Sequence, residues 1–160
     1  MVNIYFSRKS EDVKLPTKRE EDAGYDIYPY SENDILIEPG EIAIINTGIK
    51  SCIPDDYVFV LKERGSTGTK GLSVRSGIID SGYRGEWMVP INNTSNKTII
   101  ISKEPYMYNE NQVTVYPYEK AIAQALLLPV PKTNVIEISE EELMSFKSER
   151  GTGRLGSSNK

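Results

Sequence analysis

The chain has 160 residues, of which 38% are hydrophobic and 26% are charged, and this fits one soluble domain with a modest core. Its formal net charge of −4 argues against general nucleic-acid binding, which needs a basic face, and no apolar run approaches the roughly 20 residues that cross a bilayer. Histidine is absent, so any enzymatic proton transfer must be carried out by carboxylates rather than by imidazole.

The N-terminus and the cysteine content set expectations about the compartment. Residues 1–14 lack the apolar stretch and cleavage site of a secretory signal, so we expect the chain to stay in the cytoplasm. Cys52 is the only cysteine, which excludes an internal disulfide and a multi-cysteine zinc site. We expect Cys52 to be a buried small hydrophobic residue.

Short runs rich in valine, isoleucine and tyrosine dominate the chain. Glycine, proline, asparagine or aspartate interrupts them about every eight to twelve residues, which predicts an all-β sandwich or barrel of antiparallel strands. The predicted strands are 2–7, 25–30, 34–37, 41–50, 56–63, 72–75, 77–80, 86–93, 97–102, 111–117 and 120–130.

Turns and one helix complete the predicted elements. Glu-Pro-Gly at 38–40 and Asp-Ser-Gly at 80–82 predict two hairpin corners. Residues 139–147 predict a short helix, because a capping box begins at Ser139. The glycine-rich end has little to bury, so we predict one domain over 1–148 and a mobile arm over 149–160.

The first two of five notable segments suit phosphate binding. In DAGYDI at 22–27, Gly24 permits close backbone approach and Asp26 presents a carboxylate, although an edge-strand turn would look the same. In KERGSTGTKG at 62–71, exposed N–H groups, small hydroxyls and a guanidinium predict an anion nest. A surface loop rich in glycine and threonine is the alternative, and the glycine spacing excludes a Walker-type P-loop.

The third segment, SGIIDSGYRGEWM at 76–88, is the most specific. Its strand ends on Asp80, and Tyr83 offers a flat ring against which a sugar without a 2′-hydroxyl could pack. A plain Asp-Ser-Gly turn in a hairpin is the alternative.

The last two segments place polar residues in unusual settings. In EKAIAQALLLPV at 119–130, Gln124 interrupts an apolar strand, and its amide needs a phosphate, a metal-bound water or a backbone group as partner. In ERGTGRLGSSN at 149–159, arginines and serines lie among glycines that let the chain wrap closely around an anion. By itself this arm would be interpreted as a disordered tail.

The order of these segments, with AGYDI, then GIIDSGYRGE, then RGTGRLGSS, resembles the trimeric dUTPase family over almost the whole chain. The loop ERGSTGTKG resembles that of dUTPases from Gram-positive bacteria and their phages. The resemblance implies a jelly-roll β-sandwich that assembles as a homotrimer, with active sites between subunits and each site closed by a neighbour's C-terminal arm. It also implies Mg²⁺-assisted hydrolysis of dUTP to dUMP and pyrophosphate, by attack of water at the α-phosphorus.

The same resemblance assigns roles to residues. Asp80 would deprotonate the attacking water, Asp26 would hold Mg²⁺ through its water shell, and Tyr83 would stack under the deoxyribose. Backbone groups of Gly77, Ile79 and Met88 would read the uracil. The residues expected to contact the substrate are Arg64, Gly65, Ser66, Gly77, Ile79, Tyr83, Met88, Gln124, Arg150, Leu155, Gly156, Ser157 and Ser158.

Three positions depart from the usual family pattern. Gly65 stands where serine usually follows the second-motif arginine, Ala121 replaces an arginine, and Leu155 replaces a phenylalanine. Leu155 cannot stack on uracil as an aromatic ring does, so the base would be capped more weakly or by another side chain such as Trp87. These departures leave a dUTP-binding regulator or scaffold as an alternative function, and deoxycytidine triphosphate deaminase is a second one.

Overall fold

The computed structural model describes residues 1–75, 77–109, 111 and 113–154. Over these residues the chain forms twelve β-strands, two short α-helices and one 3₁₀ turn. In chain order they are β1 Tyr5–Arg8, β2 Gly24–Ile27, β3 Ile35–Ile37, β4 Ile42–Asn46, β5 Ile49–Cys52, β6 Tyr57–Lys62, α1 Gly65–Gly68, β7 Leu72–Val74, β8 Ile78–Asp80, β9 Met88–Asn93, β10 Ile99–Ser102, the 3₁₀ turn Pro105–Met107, β11 Thr114–Pro117, β12 Ala123–Pro129 and α2 Glu140–Ser145.

The strands form four hydrogen-bonded sheets whose neighbours are mostly distant in sequence. Their orders are β1-β5, β11-β10-β3, β2-β12-β6-β8 and β4-β9-β7. This connectivity confirms the predicted all-β fold, a β-sandwich of jelly-roll type. In the described part of the chain, no helix is long and apolar enough to span a membrane.

The core is built by alternation along the strands. In β6, Phe59 and Leu61 are buried while Lys62 is exposed, as expected for a strand with one face against the core. The rings of Phe59 and Trp87 pack edge to face with centroids 5.0 Å apart. The indole Nε1 of Trp87 donates to Ser51 Oγ at 3.1 Å, so the buried polar group is satisfied. This cluster supports β6, the strand that leads into the loop containing Arg64.

Both predicted corners are turns, but neither connects the strands of a hairpin. Gly40 has a φ of +80° at the first corner, and the Tyr83 N–H donates to the Asp80 carbonyl at 3.1 Å at the second. However, β3 pairs with β10 and β4 with β9, while β8 pairs with β6 and β9 with β4 and β7. The hairpin prediction was therefore wrong, because each turn passes the chain from one sheet to another.

Three further sequence expectations need correction. The predicted strand 41–50 is two strands, β4 and β5, because Gly48 has a φ of +70° between them. Strands β10 and β11 pair in parallel, so the sheets are not purely antiparallel. Cys52 is exposed, since the alternation in β5 turns Ile49 and Ser51 inward and the cysteine outward.

Replacing Gly48 with alanine is expected to lower the free energy of unfolding by about 2–5 kcal/mol, through left-handed strain and overpacking. An added Cβ would lie 2.6 Å from Val13 Cγ2 and 3.2 Å from Tyr30 Cγ. Urea unfolding at fixed protein concentration measures the loss.

Gly40→Ala is the matched control. Gly40 has the same type of backbone conformation, but an added Cβ would meet nothing within 4 Å. Its loss should be only about 1–2 kcal/mol, and equal losses for the two variants would contradict the packing argument.

Candidate functional site

Five of the predicted site residues line one cavity of about 730 Å³. They come from three separate parts of the sequence and are Asp26, Arg64, Gly65, Ser66 and Gln124. Sheet pairing explains the convergence, because β12 lies between β2 and β6 with Gln124 opposite Asp26 on one side and Lys62 on the other. Ala123 and Ala125 are buried, so the strand directs the amide between them to the opposite face.

The amide of Gln124 is held in one orientation. Its Nε2 donates to the Glu63 carbonyl at 2.7 Å, which leaves Oε1 as the group available on the cavity side. A Cβ added to Gly24 would lie 2.6 Å from that Oε1, so glycine provides the space it occupies. Gln124 thus offers an acceptor, suited to a cation, a water or another donor rather than to a phosphate oxygen.

The loop that follows β6 begins the short helix α1, with Arg64 as its N-cap. The buried hydroxyl of Thr67 accepts from the Arg64 N–H and donates to the Arg64 carbonyl, each at 3.0 Å. The N–H groups of Gly65 and Ser66 lie in the first turn, where an α-helix has no intrahelical acceptors. An added Cβ at Gly65 would meet nothing within 4 Å, so a ligand can approach the backbone closely here.

Arg64 and Asp26 form a two-point ion pair across the cavity. Arg64 Nε lies 2.8 Å from Asp26 Oδ1, and Nη2 donates to Oδ2 at 3.2 Å. Nη1 donates to the Ala121 carbonyl at 3.3 Å. The guanidinium predicted to bind phosphate and the carboxylate predicted to hold the metal shell are therefore in direct contact.

Sequence reasoning missed one wall of the cavity, formed by Lys18, Arg19 and Asp22. Arg19 Nε lies 2.9 Å from Asp22 Oδ2, and hydrogen bonds from the Arg19 side chain and backbone lower the pKa of Asp22. Lys18 Nζ donates to the Asp22 carbonyl at 2.9 Å. The run KREED at 18–22, which overlaps the first motif at Asp22, was the available signal, and the bridge between Thr17 and Asp26 places it beside the cavity.

Glu63 fixes the base of the same loop. Its Oε1 accepts from the Val74 N–H at 2.9 Å and from Ser73 Oγ at 3.2 Å. The backbone N–H of Glu63 itself is the largest cause that lowers the pKa of this carboxyl, and partial burial opposes it. The lowered pKa favours the ionised carboxylate, which connects the loop to β7. This contact holds Glu63 in place, and with it the Glu63 carbonyl that accepts from Gln124 Nε2.

The other predicted residues of the central motifs form a separate group, on and after β8. Asp80 is exposed and lies opposite Val58, whereas Gln124 lies opposite Lys62 on the same strand. The two rows lie four residue positions apart on β6, or roughly 13 Å at the rise of an extended strand. Within one chain, Asp80 and the cavity therefore do not meet.

Strand β8 is the edge of its sheet, so part of its backbone is open. The Leu61 N–H donates to the Gly77 carbonyl at 2.9 Å, and antiparallel alternation then points the backbone groups of Ile79 at Phe59. The outward groups belong to Ile78 and Asp80. The backbone of Ile79, predicted to read the uracil, therefore faces β6 instead, and its side chain is in the core. Met88, predicted to act with this strand, begins β9 and has an exposed side chain.

Tyr83 is held close to the turn that follows Asp80. Its hydroxyl donates to the Glu86 carbonyl at 2.9 Å, and a Cβ at Gly85 would collide with that hydroxyl. Tyr83 is 38% exposed, and its backbone N–H donates to the Asp80 carbonyl, so part of the residue is accessible in the turn that follows Asp80.

Little of the predicted arm contributes to the described structure. Arg150 is exposed, and its Nε donates to the Gly153 carbonyl at 3.0 Å. Leu155, Gly156, Ser157 and Ser158 lie outside the described residues. The role predicted for the arm therefore stays a prediction.

Comparison with known proteins gives one family. The dUTPase family model matches residues 11–105. The chain is similar to the deoxyuridine 5′-triphosphate nucleotidohydrolase of Nautilia profundicola, with 32% identity over 163 residues that cover 99% of this chain and 100% of that protein. The corresponding protein of Clostridium tetani is 33% identical over 154 residues, which cover 94% and 92%.

A solved structure agrees. The chain is similar to a mutant dUTPase of Staphylococcus bacteriophage 80alpha with dUpNHpp, with a TM-score of 0.74, 25% identity and 98% of each chain covered. A second mutant of that phage enzyme gives a TM-score of 0.73 and 26% identity, again with 98% of each chain covered.

Proposed function

Because the chain belongs to the dUTPase family, it hydrolyses dUTP to dUMP, and we propose that Asp80 is the base that activates the attacking water at the α-phosphorus. The observation that supports this reaction is the match to the dUTPase family. The proposal for Asp80 is supported by its exposed place at the end of an edge strand, in the turn where the Tyr83 N–H donates to the Asp80 carbonyl. A positioned carboxylate is a suitable base in a chain without histidine.

The cavity that contains Arg64 is proposed to bind the triphosphate. Arg64, with the first-turn N–H groups of Gly65 and Ser66, provides donors for phosphate oxygens. Tyr83 would stack under the deoxyribose, and backbone groups along the open edge of β8 and at Met88 would distinguish uracil from cytosine. A mismatched base would bury unpaired polar atoms there.

The oxygen donors of the cavity fit a Mg²⁺ ion that arrives with the phosphates. The described residues contain no group of three or more His, Cys, Asp or Glu side chains that could hold a metal. Mg²⁺ is often held by one or two carboxylates, waters and substrate phosphates, and Asp26 and the Oε1 of Gln124 match that partial set. When bound, the ion would neutralise negative charge on the phosphates.

A homotrimer with sites between subunits would bring the separated groups together. Asp80 of one chain would then face the cavity of a second chain, and the arm of 149–160 would close the site. Exposed Ile42, Ile44 and Met88 on β4 and β9 offer an apolar face for self-association. Nucleoside triphosphates are intracellular metabolites, so we place the reaction in the cytoplasm.

The activity is tested with each deoxynucleoside triphosphate and Mg²⁺, with pyrophosphate and ammonia measured separately. Pyrophosphate released from dUTP alone is the expected result. Ammonia from dCTP would instead favour the deaminase, and neither product from any nucleotide would favour the regulator.

Gly24→Ala is expected to lower kcat/KM for dUTP by about tenfold, since roughly 1.4 kcal/mol of lost positioning corresponds to that factor. The new Cβ would displace Gln124 Oε1 from its place 2.6 Å away. Steady-state kinetics measure the effect, with Gly68→Ala as control, where an added Cβ meets only Glu63 Cβ at 3.8 Å. Equal kinetics for Gly24→Ala and the unmodified protein would refute a role for Gln124 orientation.

A further inference from the structure

The guanidinium of Arg64 has little capacity left for an incoming anion. It has five N–H donors. Asp26 engages Nε and Nη2, and Nη1 donates to the Ala121 carbonyl and to Ser66 Oγ, each at 3.3 Å. Four donors are thus committed within the protein, so a phosphate that binds Arg64 through the same two-point face must displace Asp26.

The carboxylate is committed in the same way. Both oxygens of Asp26 face Arg64, so a hydrated cation must compete with the guanidinium for them. The two side chains are 29% and 33% exposed, and a pair that is partly shielded from water is screened less than a fully exposed pair. Opening it for one ion alone leaves the other charge without its partner.

We propose that the Asp26–Arg64 ion pair makes the cavity select a divalent cation complexed with a polyphosphate over either ion alone. The complex supplies a cation to Asp26 and oxygens to Arg64, so both charges keep a partner when the pair opens. The selection is a coupling between two ligands and acts equally in both directions. This inference rests on the proposed function of the cavity as the triphosphate site.

A double-mutant cycle tests it with inorganic tripolyphosphate as the probe and a chelator to remove divalent cations. Isothermal titration calorimetry measures the probe's affinity for the unmodified protein, Asp26→Asn, Arg64→Gln and the double variant. Asp26→Asn should raise the affinity about tenfold, a typical size for such coupling. In the Arg64→Gln background the same change should raise it less than about twofold, because no guanidinium remains to be released.

The cycle separates release of Arg64 from simple loss of negative charge. An equal rise in tripolyphosphate affinity in both backgrounds would mean that Asp26 only repels the anion. No rise in either background would mean that Asp26 does not compete with the anion for Arg64. Each of these results overturns the inference.

Asp22→Asn is the matched control, since Asp22 lines the same cavity but pairs with the largely exposed Arg19. Its effect should stay below about threefold. Circular dichroism checks that each variant is folded.

A second measurement needs no substitution. In ¹⁵N-labelled protein, the Nε–H resonance of Arg64 should shift when Mg²⁺ and tripolyphosphate are added together, and much less with either alone at the same concentration. Equal shifts with one ion alone would overturn the inference. Because both measurements use tripolyphosphate binding, they are judged separately from dUTP hydrolysis, whose absence would instead reject the proposed function.

Discussion

Asp80→Asn is expected to lower kcat for dUTP by about 10²–10⁴-fold while leaving dUTP affinity within about threefold, since general base catalysis contributes on that scale. The amide keeps the shape of the side chain but cannot accept the proton of the attacking water. Asp80 lies in an exposed position at the end of β8, so its loss should not disturb the core. Pyrophosphate release measures turnover, and calorimetry with dUpNHpp measures binding.

Asp56→Asn is the control for Asp80→Asn. Asp56 is also exposed and directly precedes β6, so its kinetics should remain those of the unmodified protein. If Asp80→Asn kept full turnover, Asp80 would not be the base. If it lost affinity and turnover to the same extent, Asp80 would be a binding residue rather than the group that activates water.

Mixing two inactive variants is expected to restore activity. Asp80 and Gln124 pair with positions of β6 that lie roughly 13 Å apart, so the proposed site would take Asp80 from one chain and the Arg64 cavity from another. Asp80→Asn and Arg64→Gln, each nearly inactive alone, should recover about a quarter of the sites when unfolded, mixed in equal amounts and refolded as random trimers. Pyrophosphate release from dUTP measures the recovery.

The control mixes Arg64→Gln with Asp26→Asn. Both residues line the cavity of a single chain, so no combination of subunits rebuilds an intact cavity and the mixture should stay as inactive as its components. Recovery in this control, or none in the first mixture, would contradict a site shared between subunits.

Much of the fold was predictable because local patterns govern it. Alternation and turn residues located the strands, except that β4 and β5 were predicted as one, and Ser139 marked the N-cap of α2, where its side chain accepts from the Glu142 N–H. Pairing partners were not predictable in the same way. A turn such as 38–40 limits where a strand ends, but it contains no information on which distant strand will hydrogen-bond to it.

For the candidate site as well, the type of each residue was predictable from the sequence, but its spatial neighbours were not. The chemical types of Asp26, Arg64, Gln124, Asp80 and Tyr83 followed from motifs and from the absence of histidine, because each residue's chemistry is a local property. Their grouping did not follow, since Gln124 meets Asp26 only through the pairing of β12 with β2. The ion pair of Asp26 with Arg64, the fixed amide of Gln124 and the wall at Lys18 and Asp22 likewise depend on contacts made across the sheet.

The amino-acid sequence alone was therefore enough for the all-β class, the family resemblance and the set of candidate site residues, because composition, alternation and motif order are all local or linear properties. The folded chain decided that Asp26, Arg64, Gly65, Ser66 and Gln124 gather in one cavity while Asp80 lies apart from them, because register and sheet order are set by packing between segments far apart in sequence. It also decided that Asp26 and Arg64 bind each other, an arrangement that depends on how two distant side chains are oriented in space.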